Sequence, residues 1–251
     1  MTELVHLETA AGVATVTLDS ERNRNALSRQ LVGELADRLE QADADESVRA
    51  IVVRSAHRVF CSGADLSEAA SGGMQEGARA IVALQRQIAA AATPVVVELA
   101  GPVRAGGLGI VGAADVVVAA ESVTFALTEV RLALAPAVIS LTLLERFTDR
   151  AAAELFLTGR TFDAAEAQRV GLVTRTVPDD ALGDEVAGVV GDLVKGYPQG
   201  LRETKRLLNH DLLARIDALG EQVAAQSADL FGSAEAREAM AAFLQRRSSG
   251  A

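Results

Sequence analysis

Residues 93–129 carry the sequence TPVVVELAGPVRAGGLGIVGAADVVVAAESVTFALTE, and the rest of the chain is organised around this stretch. The short Val-rich runs Pro94 to Val97 and Asp115 to Ala119 are typical of buried strands. Between them, the small residues from Ala105 to Ala113 can form a helix. The pair Gly106-Gly107 lies where a loop enters this helix, so the backbone can approach a ligand closely and present N–H groups to an anion.

The same stretch contains the G-x-G-x-x-G pattern of dinucleotide-binding proteins, at Gly107, Gly109 and Gly112. That pattern requires its first glycine in the tight turn directly after a strand. Here the seven-residue connection Ala100 to Gly106 comes first, and Glu129 does not end an apolar strand as a ribose-binding acid would. A Gly-rich helix packed closely on a sheet explains the glycines better than a nicotinamide cofactor does.

Composition narrows the functional classes. The chain has 251 residues, a formal charge of −10 at pH 7 and a sequence pI near 4.9, which argues against nucleic acid or an anionic membrane as a partner. The single cysteine, Cys61, excludes an internal disulfide and is typical of a reducing compartment. The N-terminus has no signal-peptide pattern and no apolar run is long enough to span a membrane, so we expect a cytoplasmic protein.

Strands and helices are predicted to alternate through the first half of the chain, which indicates βαβ units, a mostly parallel sheet and an α/β fold. Ser28 is a candidate N-cap for a helix that buries Leu31, Leu35 and Leu39. The predicted elements are a hairpin of Val5 to Leu7 and Val13 to Leu18, a helix from Ser28 to Ala42, a strand from Val48 to Val53, a mobile loop from Ser71 to Gly77 and a helix from Ala78 to Ala91.

After Pro136 the pattern becomes mostly helical. We therefore predict an α/β core over residues 1–199 and a C-terminal helical region over residues 200–251. The predicted elements are helices from Leu141 to Phe147, Arg150 to Leu157 and Ala164 to Arg169, a strand from Leu172 to Val177, and helices from Asp179 to Arg247 with breaks at Gly196 to Pro198 and at Gly232.

Five segments together resemble the crotonase (enoyl-CoA hydratase/isomerase) superfamily in their order and spacing. They are NRNALS, FCSGADL, PVV with the following GP and GG, DVVVAAE with TF and TEVRL, and ELFLTGRTFDAAEAQRVGLVTRTVP, and they extend the resemblance from about Val5 to the C-terminus. The resemblance implies a spiral of ββα units, a homotrimer or homohexamer, and an acyl-CoA thioester substrate. It implies no cofactor beyond the coenzyme A of the substrate, and no metal.

The resemblance also assigns the chemistry. The backbone N–H groups of Ala64 and Gly106 are expected to form an oxyanion hole that stabilises charge on the thioester oxygen. Glu129 is the expected acid/base residue, and burial should raise its pKa so that it serves in both roles. A second glutamate that is common in hydratases of the superfamily falls on Gly109, which has no side chain.

The loss of that glutamate leaves three hypotheses: a hydratase, a 3,2-enoyl-CoA isomerase that uses the single base Glu129, and a non-catalytic acyl-CoA binder. The segment TEVRLALAPAVIS favours the hydratase, because it resembles a bacterial branch assigned to 3-methylglutaconyl-CoA and related carboxylated enoyl-CoA hydratases, which also has glycine at this position. The sequence does not determine the acyl chain of the substrate. It therefore leaves open whether the protein serves leucine, fatty-acid or terpenoid breakdown.

Substrate-binding roles follow from the resemblance as well. Arg24, with Arg22, is expected near the adenine and pantetheine, and Lys205 near the nucleotide. Arg104 is either a solvent-facing cation or a group aimed into the pocket, where it would hold a distal carboxylate or order the catalytic water. Cys61 is interpreted as a packing residue, and His6, His57 and His210 receive no role. The remaining expected substrate contacts are Ala26, Leu27, Ala64, Asp65, Leu66 and Gly106.

Overall fold

The computed structural model describes residues 2–69 and 73–249. The chain begins with strand β1 (Val5–Ala10) and strand β2 (Val13–Leu18), which pair antiparallel as the predicted hairpin. The turn between them uses left-handed backbone at Ala11 and Gly12, with φ of 51° and 81°. Glycine adopts this conformation without a steric penalty, so the hairpin turns at the position where the sequence places it.

Helix α1 (Arg29–Ala44) forms as the sequence predicts, and it extends two residues further. The hydroxyl of Ser28 accepts a hydrogen bond from the Leu31 N–H at 3.2 Å, which satisfies one of the free donors at the helix start. Leu31, Leu35 and Leu39 are buried on one face. That face lies against β1 and β2 and fixes the helix on the sheet.

The central part of the chain has the predicted alternation together with two additional strands and a short additional helix. The elements are β3 (Ala50–Ser55), α2 (Leu66–Ala69), α3 (Met74–Ala90), β4 (Val95–Leu99), β5 (Val103–Arg104), α4 (Gly107–Ala113), β6 (Val116–Ala120) and β7 (Thr124–Ala126). The additional elements are β5, β7 and α2. Strand β5 lies inside the predicted connection from Ala100 to Gly106.

The predicted loop from Ser71 to Gly77 is wrong in its second half. Residues 71 and 72 lie outside the described residues, while α3 already begins at Met74 and includes Gly77. The chain turns instead at Gly73, where φ is +87°. A Cβ added at Gly77 would meet nothing within 4 Å, so this glycine occupies an open helical position and does not end the helix.

The second half is mostly helical, with the predicted breaks at residues 196–198 and at Gly232 and a further break at Asn209. The predicted helix from Leu141 and strand from Leu172 are both shorter than expected. The elements are a 3₁₀ helix (Thr128–Leu132), α5 (Ser140–Leu143), α6 (Asp149–Thr158), β8 (Phe162–Asp163), α7 (Ala164–Arg169), β9 (Arg175–Val177), α8 (Leu182–Leu193), α9 (Pro198–Leu208), α10 (His210–Phe231) and α11 (Ala234–Ser249).

Two sheets form within the described residues. The larger has the strand order β1-β2-β3-β4-β6-β9, and all of its pairs except β1–β2 are parallel. The smaller has the order β5-β7-β8, with β5 and β7 parallel. The α/β class and the mostly parallel sheet are confirmed, and the small sheet is the element that brings the segments of the candidate site together.

The C-terminal helices pack on the core. Helix α10 lies along α3 and also contacts α5, while α8 contacts β4 and β6. The boundary near residue 200 stays a prediction. Among the helices of the described chain, none is both long enough and apolar enough to cross a membrane.

Candidate active site

The side chain of Asn25 holds together the two loops that begin the site. Asn25 is fully buried, and its Nδ2 donates to Ser55 Oγ at 2.8 Å and to the carbonyl oxygens of Val59 and Phe60 at 3.1 Å. Its Oδ1 accepts from the Ser20 N–H at 2.7 Å. Every polar atom of this buried amide therefore has a partner, as burial requires. Asn25 belongs to the NRNALS segment, but the sequence alone predicts no role for its side chain.

The two predicted oxyanion donors lie on neighbouring backbone segments. The Leu27 N–H donates to the Gly63 carbonyl at 2.8 Å, and Leu27 pairs with Ala64 as in a parallel bridge. Gly63 has φ of +96°, and a Cβ there would lie 2.9 Å from Ala105 Cβ, so glycine is required. A Cβ added at Gly106 would lie 3.8 Å from the Ala64 nitrogen. The fold thus brings the backbone of Gly106 close to that of Ala64, and their role as oxyanion donors stays a prediction.

Cys61 packs behind this pair of segments. It is completely buried, and a Cβ added at Gly107 would lie 2.7 Å from Cys61 Cβ. Burial raises the pKa of the thiol to about 12, although a contact from the Gly63 N–H to Sγ opposes this in part. A thiol with such a pKa is not ionised near neutral pH, so it lacks the form that acts as a nucleophile. The interpretation of Cys61 as a packing residue agrees with this.

The space beside Gly109 is filled by buried side chains. A Cβ added at Gly109 would lie 3.0 Å from both Gln85 Cδ and Ile139 Cγ2. Gln85 is fully buried, its Nε2 donates to the Val138 carbonyl at 3.3 Å, and its Oε1 accepts from Thr142 Oγ1 at 3.0 Å. A side chain at position 109 would have to displace this hydrogen-bonded amide and a buried isoleucine.

Glu129 lies in the 3₁₀ helix that follows β7. Its Oε2 is buried and has no hydrogen-bond partner among the described residues. Burial raises the pKa of its carboxyl to about 7, with a smaller opposite effect from its own backbone N–H. The expected rise in pKa is therefore confirmed, whereas the catalytic role stays a prediction. A carboxyl with this pKa can both accept and return a proton near neutral pH.

The expected substrate contacts near the N-terminus divide into exposed cations and buried apolar groups. Arg22 and Arg24 are exposed, while Ala26 and Leu27 are buried at 6% exposure each. Leu66 begins α2, and its side chain lies outside the described residues. Neither exposed arginine forms an ion pair with another described residue, so both can meet an anionic ligand directly.

Asp65 is held by its neighbours. Its Oδ1 accepts from the backbone and the hydroxyl of Ser67 at 3.0 and 2.6 Å, and its Oδ2 accepts from Asn23 Nδ2 at 3.1 Å. Although partial burial opposes the change, these hydrogen bonds from Ser67 and Asn23 lower the pKa of its carboxyl. Asp65 therefore fixes the turn into α2, directly after Ala64, and its expected contact with substrate stays a prediction.

The prediction that Lys205 lies near the nucleotide is wrong. Its side chain is 4% exposed, and its Nζ lies 2.8 Å from Asp115 Oδ2 and 2.9 and 3.0 Å from the carbonyl oxygens of Ile88 and Thr93. Asn209 Nδ2 donates to the other oxygen of Asp115 at 3.0 Å. Lys205 therefore anchors α9 to the core, and its ammonium group has no access to a ligand in solvent.

Removing this cation should cost stability and leave ligand affinity unchanged. Lys205→Met leaves the partly buried Asp115 without its ion-pair partner, so we expect the free energy of unfolding to fall by about 3 kcal/mol or more. Urea denaturation at pH 7 measures this. Lys195→Met is the control, because Lys195 is 76% exposed and pairs with the exposed Asp192. Its effect should stay below about 1 kcal/mol. A loss of acyl-CoA affinity without loss of stability in Lys205→Met would contradict this account.

Two of the three histidines come together at one carboxylate. His6 Nε2 lies 2.9 Å from Asp19 Oδ2, and His57 Nε2 lies 2.6 Å from Asp19 Oδ1. The hydrogen bond to Asp19 raises the pKa of the His6 imidazole. His210 is exposed beside Asp211. Within the described residues, no cluster of three or more His, Cys, Asp or Glu side chains has the arrangement of a metal site.

Comparison with known proteins identifies the family. A family model described as enoyl-CoA hydratase/isomerase matches residues 8–250, which is nearly the whole chain. The chain belongs to the enoyl-CoA hydratase/isomerase family. Its α/β architecture is that of solved members: the crystal structure of an enoyl-CoA hydratase from Mycobacterium avium superposes with a TM-score of 0.91 at 44% identity, covering 98% of each chain.

Relatives within the enoyl-CoA hydratase/isomerase family have more than one named activity. A Mycobacterium bovis protein named "Probable enoyl-CoA hydratase" is 31% identical over 249 residues, which covers 98% of this chain and 96% of its own. The 1,2-epoxyphenylacetyl-CoA isomerase of Escherichia coli is 28% identical over 263 residues, which covers 99% and 98%. The comparisons thus establish the enzyme family, and the choice between hydration and isomerisation has to come from the site.

The raised pKa of Glu129 in this hydratase/isomerase family member predicts a pH-dependent cost in stability. The unfolded chain releases this proton near pH 4.5, while the folded protein keeps it up to about pH 7, so stability falls as pH rises between these values. Glu129→Gln removes the titration. Relative to wild type, the variant should gain on the order of 3 kcal/mol of unfolding free energy between pH 5 and pH 8.

Urea titrations at both pH values measure this difference. The control is Glu121→Gln, because Glu121 is exposed, and its stability relative to wild type should change little with pH. An equal pH response of the two variants would show that the Glu129 carboxyl is not destabilised by burial in the folded protein.

Proposed function

We propose that this family member is an enoyl-CoA hydratase that adds water syn across the 2,3 double bond. The observation that carries the proposal is the buried Glu129 carboxyl, which has a pKa of about 7 and an oxygen with no partner among the described residues. Glu129 follows closely after Ala126, the last residue of β7. The Ala126 carbonyl accepts a hydrogen bond from the Ala105 N–H at 3.0 Å, so β7 is bonded to the segment that leads to Gly106.

The proposed reaction uses backbone and carboxyl groups of this chain. The Ala64 and Gly106 N–H groups would bind the thioester oxygen and stabilise the enolate-like charge that develops on it, an effect typically worth about 3–4 kcal/mol per donor. Ionised Glu129 would take a proton from water as the oxygen adds to the β carbon. The protonated carboxyl would then deliver that proton to the α carbon on the same face, which restores Glu129 for the next cycle.

An assay on three substrates tests the proposal. Pure protein is given crotonyl-CoA, 3-methylglutaconyl-CoA and a 3-enoyl-CoA, and products are separated by chromatography. A hydratase converts the first or second substrate to its 3-hydroxyacyl-CoA. Conversion of the 3-enoyl-CoA alone would replace the hydratase proposal with an isomerase, and binding without turnover of any substrate would leave an acyl-CoA binder.

A second candidate function is 3,2-enoyl-CoA isomerisation. The observation that favours it is the packing at Gly109, where Gln85 and Ile139 fill the space that a second carboxylate would need. An isomerase needs one base that removes a proton at one carbon and returns it at another, and Glu129 alone supplies that. In the 3-enoyl-CoA arm of the assay run in D₂O, Glu129 returns part of the proton that it removed from the substrate, so the 2-enoyl product should contain less than one deuterium per turnover.

The substrate proposal follows from the TEVRLALAPAVIS segment, whose resemblance to the carboxylated branch supports 3-methylglutaconyl-CoA or a related dicarboxylic thioester. The exposed Arg22 and Arg24 would offset the negative field of a chain of charge −10 where the CoA phosphates bind. We further propose a cytoplasmic homotrimer or homohexamer that needs no cofactor beyond the substrate's coenzyme A. Light scattering coupled to gel filtration measures the assembly state.

A further inference from the structure

Arg104 joins the two segments of the candidate site. It is the last residue of β5 and is followed by Ala105 and Gly106. Its side chain is half-buried, with one terminal nitrogen 2.6 Å from the Thr124 carbonyl oxygen and 2.9 Å from the Val103 carbonyl. The other terminal nitrogen lies 2.9 Å from Thr124 Oγ1. Both ends of the guanidinium fork therefore bond to the first residue of β7.

These bonds reinforce a short strand pairing. Strands β5 and β7 are in register over Val103 with Phe125 and Arg104 with Ala126. On its other side, the Arg104 N–H donates to the Cys61 carbonyl at 2.9 Å, so β5 also borders the loop that leads to Ala64. A two-residue ladder leaves the neighbouring strands free to shift, and two charge-assisted hydrogen bonds to one residue resist such a shift.

The arrangement differs from both expectations for Arg104. The guanidinium is half-buried and bonded to Thr124, so it is not a free solvent-facing cation, and this burial lowers its pKa. Three of its five guanidinium N–H groups also donate to neutral acceptors of the protein, so the fork is already bonded to Val103 and Thr124. Its position along the chain indicates another role. Arg104 ends β5, which leads directly to Gly106, and it bonds to β7, which leads directly to Glu129.

We infer that Arg104 is a positioning residue, which through its fork to Thr124 sets the placement of the Gly106 N–H relative to the Glu129 carboxyl. The inference rests on the proposed function, since it gives the Arg104–Thr124 contact a consequence for turnover. A misplacement of about 1 Å between reacting groups can cost on the order of a hundredfold in rate. The effect should appear in kcat for every substrate and should spare KM, because Arg104 would not touch the substrate.

The test compares kcat and KM of four variants on a monocarboxylic and a dicarboxylic enoyl-CoA. Arg104→Ala should lower kcat about tenfold to a hundredfold on both substrates, with KM changed by less than about threefold. Arg104→Lys should recover part of the loss, because an ammonium group replaces one arm of the fork. Thr124→Val should cost only a few-fold, since the carbonyl acceptor remains. Arg104→Ala combined with Thr124→Val should be no worse than Arg104→Ala alone.

A matched control exists in the large sheet. Arg54 Nε lies 3.3 Å from Thr17 Oγ1, so Arg54→Ala also removes an arginine–threonine contact between strands, but in the large sheet and not between the strands that lead to Gly106 and Glu129. Its kcat should stay within about twofold of wild type. Circular dichroism and acyl-CoA binding stoichiometry establish that each variant is folded. If Arg104→Ala does not fold, the kcat values of Arg104→Lys and Thr124→Val test the inference instead.

Three outcomes overturn the inference or its basis. An unchanged kcat in the Arg104 and Thr124 variants would show that the contact is only structural. A rise in KM confined to the dicarboxylic substrate would make Arg104 a substrate contact instead. If wild type turns over neither thioester, the proposed function itself fails, and this result is distinguishable because it appears before any variant is compared.

Discussion

Glu129→Gln should lower kcat by at least about a hundredfold while acyl-CoA still binds. Glutamine has the shape of glutamate but cannot take a proton from water and return it to carbon. The buried position of Oε2 strengthens the expectation, because no other described side chain hydrogen-bonds to it and could assume its role. Steady-state kinetics and calorimetric titration with a saturated acyl-CoA measure the two quantities.

Glu98→Gln is the matched control for this prediction. Glu98 lies on β4 and burial also raises the pKa of its carboxyl, although Arg54 opposes that change. It therefore shares the partial burial of Glu129 but belongs to the large sheet. Its kcat should stay within about twofold of wild type. If Glu129→Gln also remained within a few-fold, the assignment of Glu129 as the acid/base residue would be wrong.

Gly106→Val should abolish measurable turnover and retain the fold. A Cβ at this position would lie 2.9 Å from Leu27 Cδ1 and 3.8 Å from the Ala64 nitrogen, so it would occupy the space in which the proposed donors would receive the thioester oxygen. The loss of a single oxyanion donor typically costs about 10²–10³ in kcat, and exclusion of the thioester from both should cost at least as much.

The control for Gly106→Val is Gly33→Val in α1. Gly33 is exposed, and a Cβ there would meet nothing within 4 Å. It should keep wild-type kcat. Two results count against the oxyanion assignment: a Gly106→Val protein that retains kcat/KM, and one that unfolds, since either would show that Gly106 has a role other than leaving space for the thioester.

The elements that were predictable from sequence are those with a clear local pattern. Ser28 caps α1 because its hydroxyl reaches the Leu31 N–H, and the buried stripe of that helix follows from its 3.6-residue period. The Val-rich strands β4 and β6 follow from short apolar runs. The placement of Ala64 beside Gly106 came from the resemblance to a family, because no periodicity relates a turn residue to a helix start over forty positions away.

The elements that were missed depend on contacts distant in sequence. Strand β5 has two residues, too few to show an alternation. Lys205 looks like any exposed cation of a polar helix, and only its contacts with Asp115 and two carbonyl groups show that it is buried. Gln85 likewise lies in an ordinary helical sequence. Charge and polarity in the sequence indicate what a side chain can bind, but not whether the fold supplies the partner.

The packing around Gly109 also limits how this enzyme can change over evolutionary time. A glycine codon can become a glutamate codon through one base change, yet that change alone would drive the new side chain against Gln85 and Ile139. Selection for a second carboxylate would therefore first have to pass through a smaller residue at position 85 or 139, and a smaller residue at position 85 would also remove the oxygen to which the Thr142 hydroxyl donates. Lineages with this packing are expected to diversify their acyl substrates more readily than to acquire a second acid.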